Sequence, residues 1–454
     1  MEKKLTLTFC GGTGTVTGAN FLLEGEGKKF LIDCGLMQNQ KLADDSNWEP
    51  FIYDPKTIDI LFITHAHIDH IGRIPKLIHE GFKGKIISTP ATKAVAEFML
   101  LDTVNILGRN DEHDLSKIYT KDNVQKALAL WEGIEYHQRF NVDHGFRFSY
   151  RDAGHILGSG MLEVWYNGKK IVFTGDLGNS PSPLLKDSEV ITDADFLVME
   201  SVYGDRIHEH RNERKKLLEA AIEDNYNRKG TLVVPTFSLE RTQELLFEIN
   251  DLVENKRVPA MPIFLDSPLA IKLTSVYRKF ENYFNETALK MIGKGDDIFN
   301  FPGLRLTLET EESKEILHTE NPKIVIAGSG MSNGGRIVHH ERNYLPDSKN
   351  TLLLTGYQSL GTLGRTIEDG AKTVRINGEE VPVRARIAKI SGYSGHKDSN
   401  ALIDFVESTA NTVKKVFVVM GEPKSALYLV QKLRDNLGVQ AVAPEFGDKV
   451  EITC

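Results

Sequence analysis

Hydrophobic and polar positions fall into two textures along this chain. Up to residue 204, short apolar or alternating runs at 5–9, 20–23, 29–33, 60–64, 146–150, 161–166, 170–174 and 196–200 read as strands. Runs of that length bounded by Gly, Asn and Asp are too short for buried helices. Helical spacing of apolar positions is confined there to 91–107 and 122–132. From residue 205 the pattern becomes strand followed by helix: 231–235 then 239–252, 263–265 then 269–284, 324–327 then 335–344, and 351–355 then 361–368. Such repetition predicts a parallel sheet flanked by helices, since each parallel strand needs a crossover that covers a face. The final stretch, from 384 on, returns to short strands and helices too few to enclose a core of their own. The expected organisation is α/β, with a first domain at 1–204 and 386–454 interrupted by a second at 205–385.

Composition narrows the class. At 454 residues, 41% hydrophobic and 26% charged, the chain has the content of a large globular protein and not of a disordered one. Apolar runs such as 58–64 and 416–420 fall well short of the roughly 20 residues that cross a bilayer, and the N-terminus lacks a signal-peptide apolar segment. A cytoplasmic protein without membrane association is therefore expected. Cys10, Cys34 and Cys454, none in a CxxC pair, support neither a disulfide framework nor a cysteine zinc site. Any metal has to be held by histidines and carboxylates. The formal charge of -8 excludes a wholly basic nucleic-acid surface but leaves room for a local basic patch.

Chemistry concentrates at the end of the predicted strand 60–64, where His65, His67, Asp69 and His70 follow within six residues. A loop at a strand end can aim His65 and His67 at one ion and Asp69 and His70 at a neighbour, and imidazole nitrogen and carboxylate oxygen are both good zinc ligands. His155 lies in the segment Asp152-Ala-Gly-His-Ile-Leu-Gly-Ser, and Asp176 ends Thr174-Gly-Asp. Alone, each reads as a turn residue. Beside the first cluster they become ligands of the same centre.

Asp33 after a strand, the HxHxDH cluster, His155 and Asp176, in that order, resemble the metallo-β-lactamase superfamily. The segments Met199-Glu-Ser-Val-Tyr-Gly-Asp-Arg206, Pro235-Thr-Phe-Ser-Leu-Glu-Arg-Thr-Gln243, Gly328-Ser-Gly-Met-Ser-Asn-Gly-Gly-Arg336, Gly356-Tyr-Gln-Ser-Leu-Gly-Thr-Leu-Gly-Arg365 and Ser391-Gly-Tyr-Ser-Gly-His396 extend the resemblance to the β-CASP nucleases, over nearly the whole chain. The resemblance implies a metallo-β-lactamase αββα sandwich with an inserted β-CASP α/β domain, and an active site in the cleft between them. It implies His65, His67 and His155 on one zinc, Asp69 and His70 on the other, Asp176 between the two, and Asp33 as an outer residue that orients ligands. Asp69, Glu200 and His396 are implied to be catalytic. Glu200 would orient His396, leaving it charged enough to protonate the departing oxygen or grip a phosphate.

One position departs from the pattern. Met420 stands where RNA-processing relatives have the histidine that completes the second zinc, and a thioether suits such a hard site poorly. One or two zinc ions are therefore expected, the second held weakly. DNA-repair members carry an apolar residue there, so a β-CASP DNA nuclease is one alternative, a small-substrate metallo-hydrolase a second and a binding subunit with a decayed site a third. The SGMSNGGR and GTLGR segments favour hydrolysis of single-stranded RNA by a protein that could be a homodimer. Ser329, Gly330, Gly334, Arg336, Arg365 and Ser394 are expected to receive substrate phosphates. Glycine-rich turns between strand and helix present amides, and arginines and lysines cluster from 336 to 389. Gly11 to Gly18 lacks the Gly-Lys-Ser/Thr of a phosphate loop and reads as a hairpin turn. His208, His210, His339 and His340 read as surface or packing residues.

Overall fold

The computed structural model describes residues 3–38, 45–108, 112–208 and 213–454, so His210 lies outside the described residues. The chain divides into two compact units, one of residues up to 207 with 395–454 and one of 208–394.

The first unit is built on two seven-stranded sheets. One runs in the spatial order Lys449–Thr453, Lys4–Gly11, Asn20–Gly25, Lys28–Ile32, Ile60–Phe62, Lys85–Ser88 and Trp131–Gly133, the first three pairings antiparallel and the rest parallel. The other runs Ala441–Val442, Lys415–Val418, Phe196–Met199, Lys169–Phe173, Gly160–Tyr166, Phe146–Asp152 and Phe140–Val142. Alternate side chains from both sheets meet in one core, because successive strand residues point to opposite faces. Leu5, Leu7, Phe9, Phe30 and Phe62 contribute from the first sheet, and Phe146, Phe148, Val164, Phe173 and Phe417 from the second. The Phe62 and Phe148 rings stack with centroids 4.4 Å apart. On the outer face of the second sheet, Leu402 and Phe405 of helix Ser399–Glu407 and Leu429 and Leu433 of helix Pro423–Leu437 pack against Val172, Leu197 and Val416. Helices Ile74–His79, Pro90–Leu107 and Lys121–Ala129 pack on one another beside the first sheet. The result is the αββα sandwich.

The second unit carries a six-stranded, wholly parallel sheet in the order Leu304–Leu306, Ile263–Asp266, Lys323–Ala327, Thr231–Pro235, Thr351–Leu354 and Arg386–Lys389. Its central strands are buried throughout, as parallel strands covered on both faces must be.

Three sequence expectations shift. The helix expected over 122–132 ends at Ala129, because Trp131–Gly133 adds an edge strand to Lys85–Ser88 and the indole Nε1 donates to Ser88 Oγ at 2.8 Å. The helix expected over 269–284 stops at Tyr277 and is followed by a separate short turn at Glu281–Tyr283. Arg386–Lys389, placed by the pattern at the return of the first domain, instead pairs with Thr351–Leu354 and forms an edge of the second unit's sheet. Among the described residues no helix is long and apolar enough to cross a membrane.

Candidate metal centre

The centre belongs to the first unit and is assembled from three turns. After strand Ile60–Phe62 the chain passes Thr64 and His65 and enters the one-turn helix Ile68–Ile71, which carries Asp69 and His70. His155 occupies the turn between strands Phe146–Asp152 and Gly160–Tyr166, its amide donating to Ser159 Oγ at 2.9 Å. Asp176 follows strand Lys169–Phe173. The turns carrying His155 and Asp176 approach so closely that a Cβ on Gly178 would sit 1.7 Å from the Gly154 carbonyl oxygen, so only glycine fits there.

Hydrogen bonds behind the histidines set which nitrogen faces inward. Asp33 Oδ1 accepts from the Thr64 amide, and Oδ2 accepts from Thr64 Oγ1 and from His70 Nδ1, each at 2.8 Å. Thr64 Oγ1, its proton given to Asp33, then accepts from His65 Nδ1 at 3.1 Å. His155 Nδ1 donates to the Gly395 carbonyl at 2.9 Å. With Nδ1 of all three rings engaged by these partners, His65, His70 and His155 each turn Nε2 toward the centre. His65 Nε2 lies 3.1 Å and His155 Nε2 3.2 Å from His67 Nδ1, while Asp176 Oδ2 lies 3.4 Å from His65 and 3.6 Å from His155. His70 Nε2 stands 3.4 Å from Asp176 Oδ1 and 3.9 Å from Asp69 Oδ2.

Burial makes this arrangement demanding. His65 and His70 are fully buried, and His155 and Asp176 nearly so. His70 Nε2 and Asp176 Oδ1 have no hydrogen-bond partner. Burial, helped by the neighbouring imidazoles, pushes the His67 and His155 pKa values well below the usual histidine range, so both rings are neutral and keep their lone pairs. Two imidazole nitrogens crowd the single His67 Nδ1 with the Asp176 carboxylate alongside, and a cation would reconcile all of them. One ligand atom from each of His65, His67, His155 and Asp176 lies within 4.8 Å of the others, and the same holds for Asp69, His70 and Asp176. The centre thus offers two adjoining sites that share Asp176.

A carboxylate–imidazole pair adjoins them. Glu200 follows strand Phe196–Met199 and is buried; its Oε1 accepts from the Leu177 amide at 2.6 Å and from His396 Nδ1 at 3.2 Å, and Oε2 accepts from the Val202 amide at 3.3 Å. Burial raises the Glu200 pKa, but those donors favour the ionised form. Burial alone would lower the pKa of His396; the Glu200 charge and hydrogen bond outweigh it and raise the value to about 9. His396 is tied in by a bridge between its own backbone and Gly178, lies 4.0 Å from Asp176 Oδ2, and keeps 23% of its side chain exposed. It is a protonated imidazole at the mouth of the centre.

Met420 lies behind the centre. Its side chain joins the apolar core with Phe9 and Phe417, and with Asp33, Thr64, His70 and Glu200 it lines a cavity of about 10 Å³, enough for roughly one water. Its backbone takes the left-handed conformation, φ 48°.

The residues expected to hold phosphates belong to the second unit and are largely engaged within it. Arg336 is engaged within the unit: Nη1 donates to Asp266 Oδ1 at 2.7 Å and to the Thr307 carbonyl at 2.9 Å, and Nη2 to the Leu308 carbonyl at 2.8 Å. Its charge neutralises a buried carboxylate that also takes His340 Nε2 at 2.7 Å. The glycine turn folds on itself, Ser329 N donating to the Gly334 carbonyl and Ile337 N to that of Gly328, which removes the helix-start amide from service. Gly330 is buried, its carbonyl accepting from Gln358. Arg365 Nε bonds the carboxylate of Asp369, and Ser394 is half-buried at the end of the unit. His340 is buried and His339 exposed, as packing and surface roles require.

Three functional contributors went unread in the sequence. Thr64 links Asp33 to His65, Ser159 fixes the His155 turn, and the Gly395 carbonyl sets the His155 tautomer. Thr64 adjoins the histidine run and could have been noticed; a backbone carbonyl 240 residues from its partner leaves no mark in sequence.

Comparison with known proteins matches three successive stretches of the chain. The Metallo-beta-lactamase superfamily description matches residues 13–226, the Beta-Casp domain 242–367, and the Zn-dependent metallo-hydrolase RNA specificity domain 380–444. Ribonuclease TTHA0252 of Thermus thermophilus is 35% identical over 442 residues, 97% of this chain and 99% of that protein. An RNase J-like protein of Methanocaldococcus jannaschii is 30% identical, covering 97% and 98% of the two chains. Cleavage and polyadenylation specificity factor 73 of Drosophila melanogaster is 30% identical across 90% of this chain and 59% of its own. A crystal structure of a protein of unknown function from Enterococcus faecalis shares the fold, with a TM-score of 0.60 at 14% identity, over 99% of this chain and all of that one.

Proposed function

Because the chain belongs to the β-CASP nucleases of the metallo-β-lactamase superfamily, we propose that it is a zinc-dependent ribonuclease that hydrolyses phosphodiester bonds of single-stranded RNA. The observation that carries this reading is the convergence of three imidazoles and Asp176, with four contacts among their ligand atoms at 3.1 to 3.6 Å and all four atoms within 4.8 Å of one another. Ligands about 2.0–2.1 Å from a tetrahedral ion stand roughly 3.3–3.4 Å apart, the spacing that zinc with nitrogen and oxygen donors demands. His65, His67, His155 and Asp176 would hold one zinc, and Asp69, His70 and Asp176 a second. When bound, zinc supplies Lewis acidity and lowers the pKa of water.

The protein's own groups do the rest. Asp33 and Thr64 keep the histidine tautomers that ligation needs. His396, protonated and held by Glu200, faces the site where charge builds on the leaving oxygen and donates its proton there. Asp69, partly exposed beside His70, orients the attacking water. A small-substrate hydrolase would have no use for the Glu200–His396 pair. RNA as substrate is supported by the RNA specificity description over residues 380–444 and by the relatives named as ribonucleases.

The decisive experiment incubates zinc-loaded protein with RNA and DNA single strands labelled at either end, and reads the product ladders. RNA cleavage that chelation abolishes and zinc restores is the expected result. Cleavage of DNA alone would transfer the reading to a DNA nuclease, and cleavage of neither would end it.

A further inference from the structure

Strands Lys323–Ala327, Thr231–Pro235 and Thr351–Leu354 are parallel neighbours, so the loops that leave their carboxyl ends lie on one edge of the second unit's sheet. Such edges are where open α/β sheets take ligands. Two aromatic rings are exposed there: Phe237, 44% accessible, two residues past Pro235, and Tyr357, 38% accessible, three residues past Leu354.

Phe237 is not a loose surface side chain. Its ring lies on Gly330, where a Cβ would come within 2.9 and 3.0 Å of two ring carbons, so the missing side chain makes room for it. Gln358 Nε2 in turn donates to the Gly330 carbonyl at 3.1 Å, Thr242 Oγ1 to the Phe237 carbonyl at 2.7 Å, and Thr236 N to the Ala327 carbonyl at 2.9 Å. Three loops thus brace a half-exposed ring that a hydrophobic core would have swallowed. A ring backed on one side by glycine and open on the other offers a flat apolar face with little left to immobilise on binding. The surroundings are polar: the Ser238 and Ser267 hydroxyls stand 3.2 Å apart beside Gly328.

We propose that Phe237, with Tyr357 on the adjoining loop, is a stacking platform for unpaired nucleobases, which gives the second unit a base-dependent but sequence-tolerant grip on a single strand. The proposal rests on the nuclease reading above and deepens it. Every base has a π-face, so a platform of this kind binds any unpaired stretch and rejects a duplex, whose bases are already stacked. It also supplies a grip that does not depend on Arg336, whose charge is committed to Asp266.

The test compares binding of a labelled RNA single strand with that of the same strand made abasic along its length, on full-length wild type, F237A, F237L and F237W. F237A and F237L should weaken binding of the ordinary strand about 5- to 150-fold, the range expected for losing one stacked base. F237W should restore it, and the abasic strand should bind all four proteins alike. F237L keeps apolar volume without a π-face, so it tests the idea even where F237A misfolds. Equal binding of the ordinary strand by wild type and F237L overturns the platform, as does an equal loss for ordinary and abasic strands. A wild type that cleaves RNA while F237L binds normally refutes the platform alone; a wild type that cleaves no nucleic acid refutes the nuclease reading and the platform with it.

Discussion

Replacing Asp33 by Asn tests the orientation of the centre most directly. The carboxylate accepts three hydrogen bonds, all at 2.8 Å, from Thr64 N, Thr64 Oγ1 and His70 Nδ1. An asparagine in the same rotamer can accept from the Thr64 amide, but its NH₂ then meets the Thr64 hydroxyl and the His70 Nδ1–H, both donors. The cheapest relief moves the His70 proton to Nε2, the atom that faces Asp69 and Asp176, where it blocks ligation. Loss of an orienting partner of this kind costs 10- to 100-fold in metal affinity, about 1.4–2.7 kcal/mol. The penalty should fall on the ion held by His70, while the site of His65, His67 and His155 changes within about a factor of two, because His65 Nδ1 still has the Thr64 oxygen. Competition with a chromophoric chelator resolves two stoichiometric steps, and only the weaker should move in D33N. The metal-free variant should also unfold at lower denaturant, since a buried hydrogen bond to a charged group is worth about 1.5–3 kcal/mol. Equal weakening of both steps, or a second step unchanged, would refute the tautomer argument.

Other outcomes follow from the same geometry. H396A should lower turnover about 10²- to 10⁴-fold while metal content stays at the wild-type level, because the imidazole touches Glu200 and not the ligand set at bonding distance; zinc analysis beside single-turnover cleavage decides it. M420H should tighten the weaker metal step and shift the metal-activation curve to lower concentration, since histidine tolerates φ 48° better than most residues and position 420 lines the cavity beside His70; an unmoved curve means that the side chain does not reach the ion. Glu341 is buried in the second unit, and burial raises its pKa from 4.5 to about 8 despite the Ser332 hydroxyl. Between those values the unfolded chain ionises first, so stability should fall as pH rises from about 4.5 to 8, by at most ~5 kcal/mol at about 1.4 kcal/mol per unit. E341Q should flatten that slope in denaturant titrations across pH.

Local spacing determined a great deal. The HxHxDH run could be read as metal ligands because a strand end and one helical turn place those side chains together without help from the rest of the chain. The strand–helix alternation after residue 205 likewise foretold a covered parallel sheet, since burial on both faces leaves a continuous apolar run in every central strand. What the sequence could not hold was partnership across distance. Nothing near Arg336 in the sequence announces that Asp266, 70 residues away, pairs with its charge. Trp131–Gly133 and Arg386–Lys389 became strands only because a neighbour offered an open ladder. The ring orientations of His65, His70 and His155, on which the chemistry of the centre turns, are set by Asp33 and Thr64, which meet only once strands Lys28–Ile32 and Ile60–Phe62 have paired, and by a backbone carbonyl 240 residues from His155. Residue types and their short-range spacing announce which atoms can bind a metal, but only the folded chain decides which lone pair faces it and which charges are already neutralised.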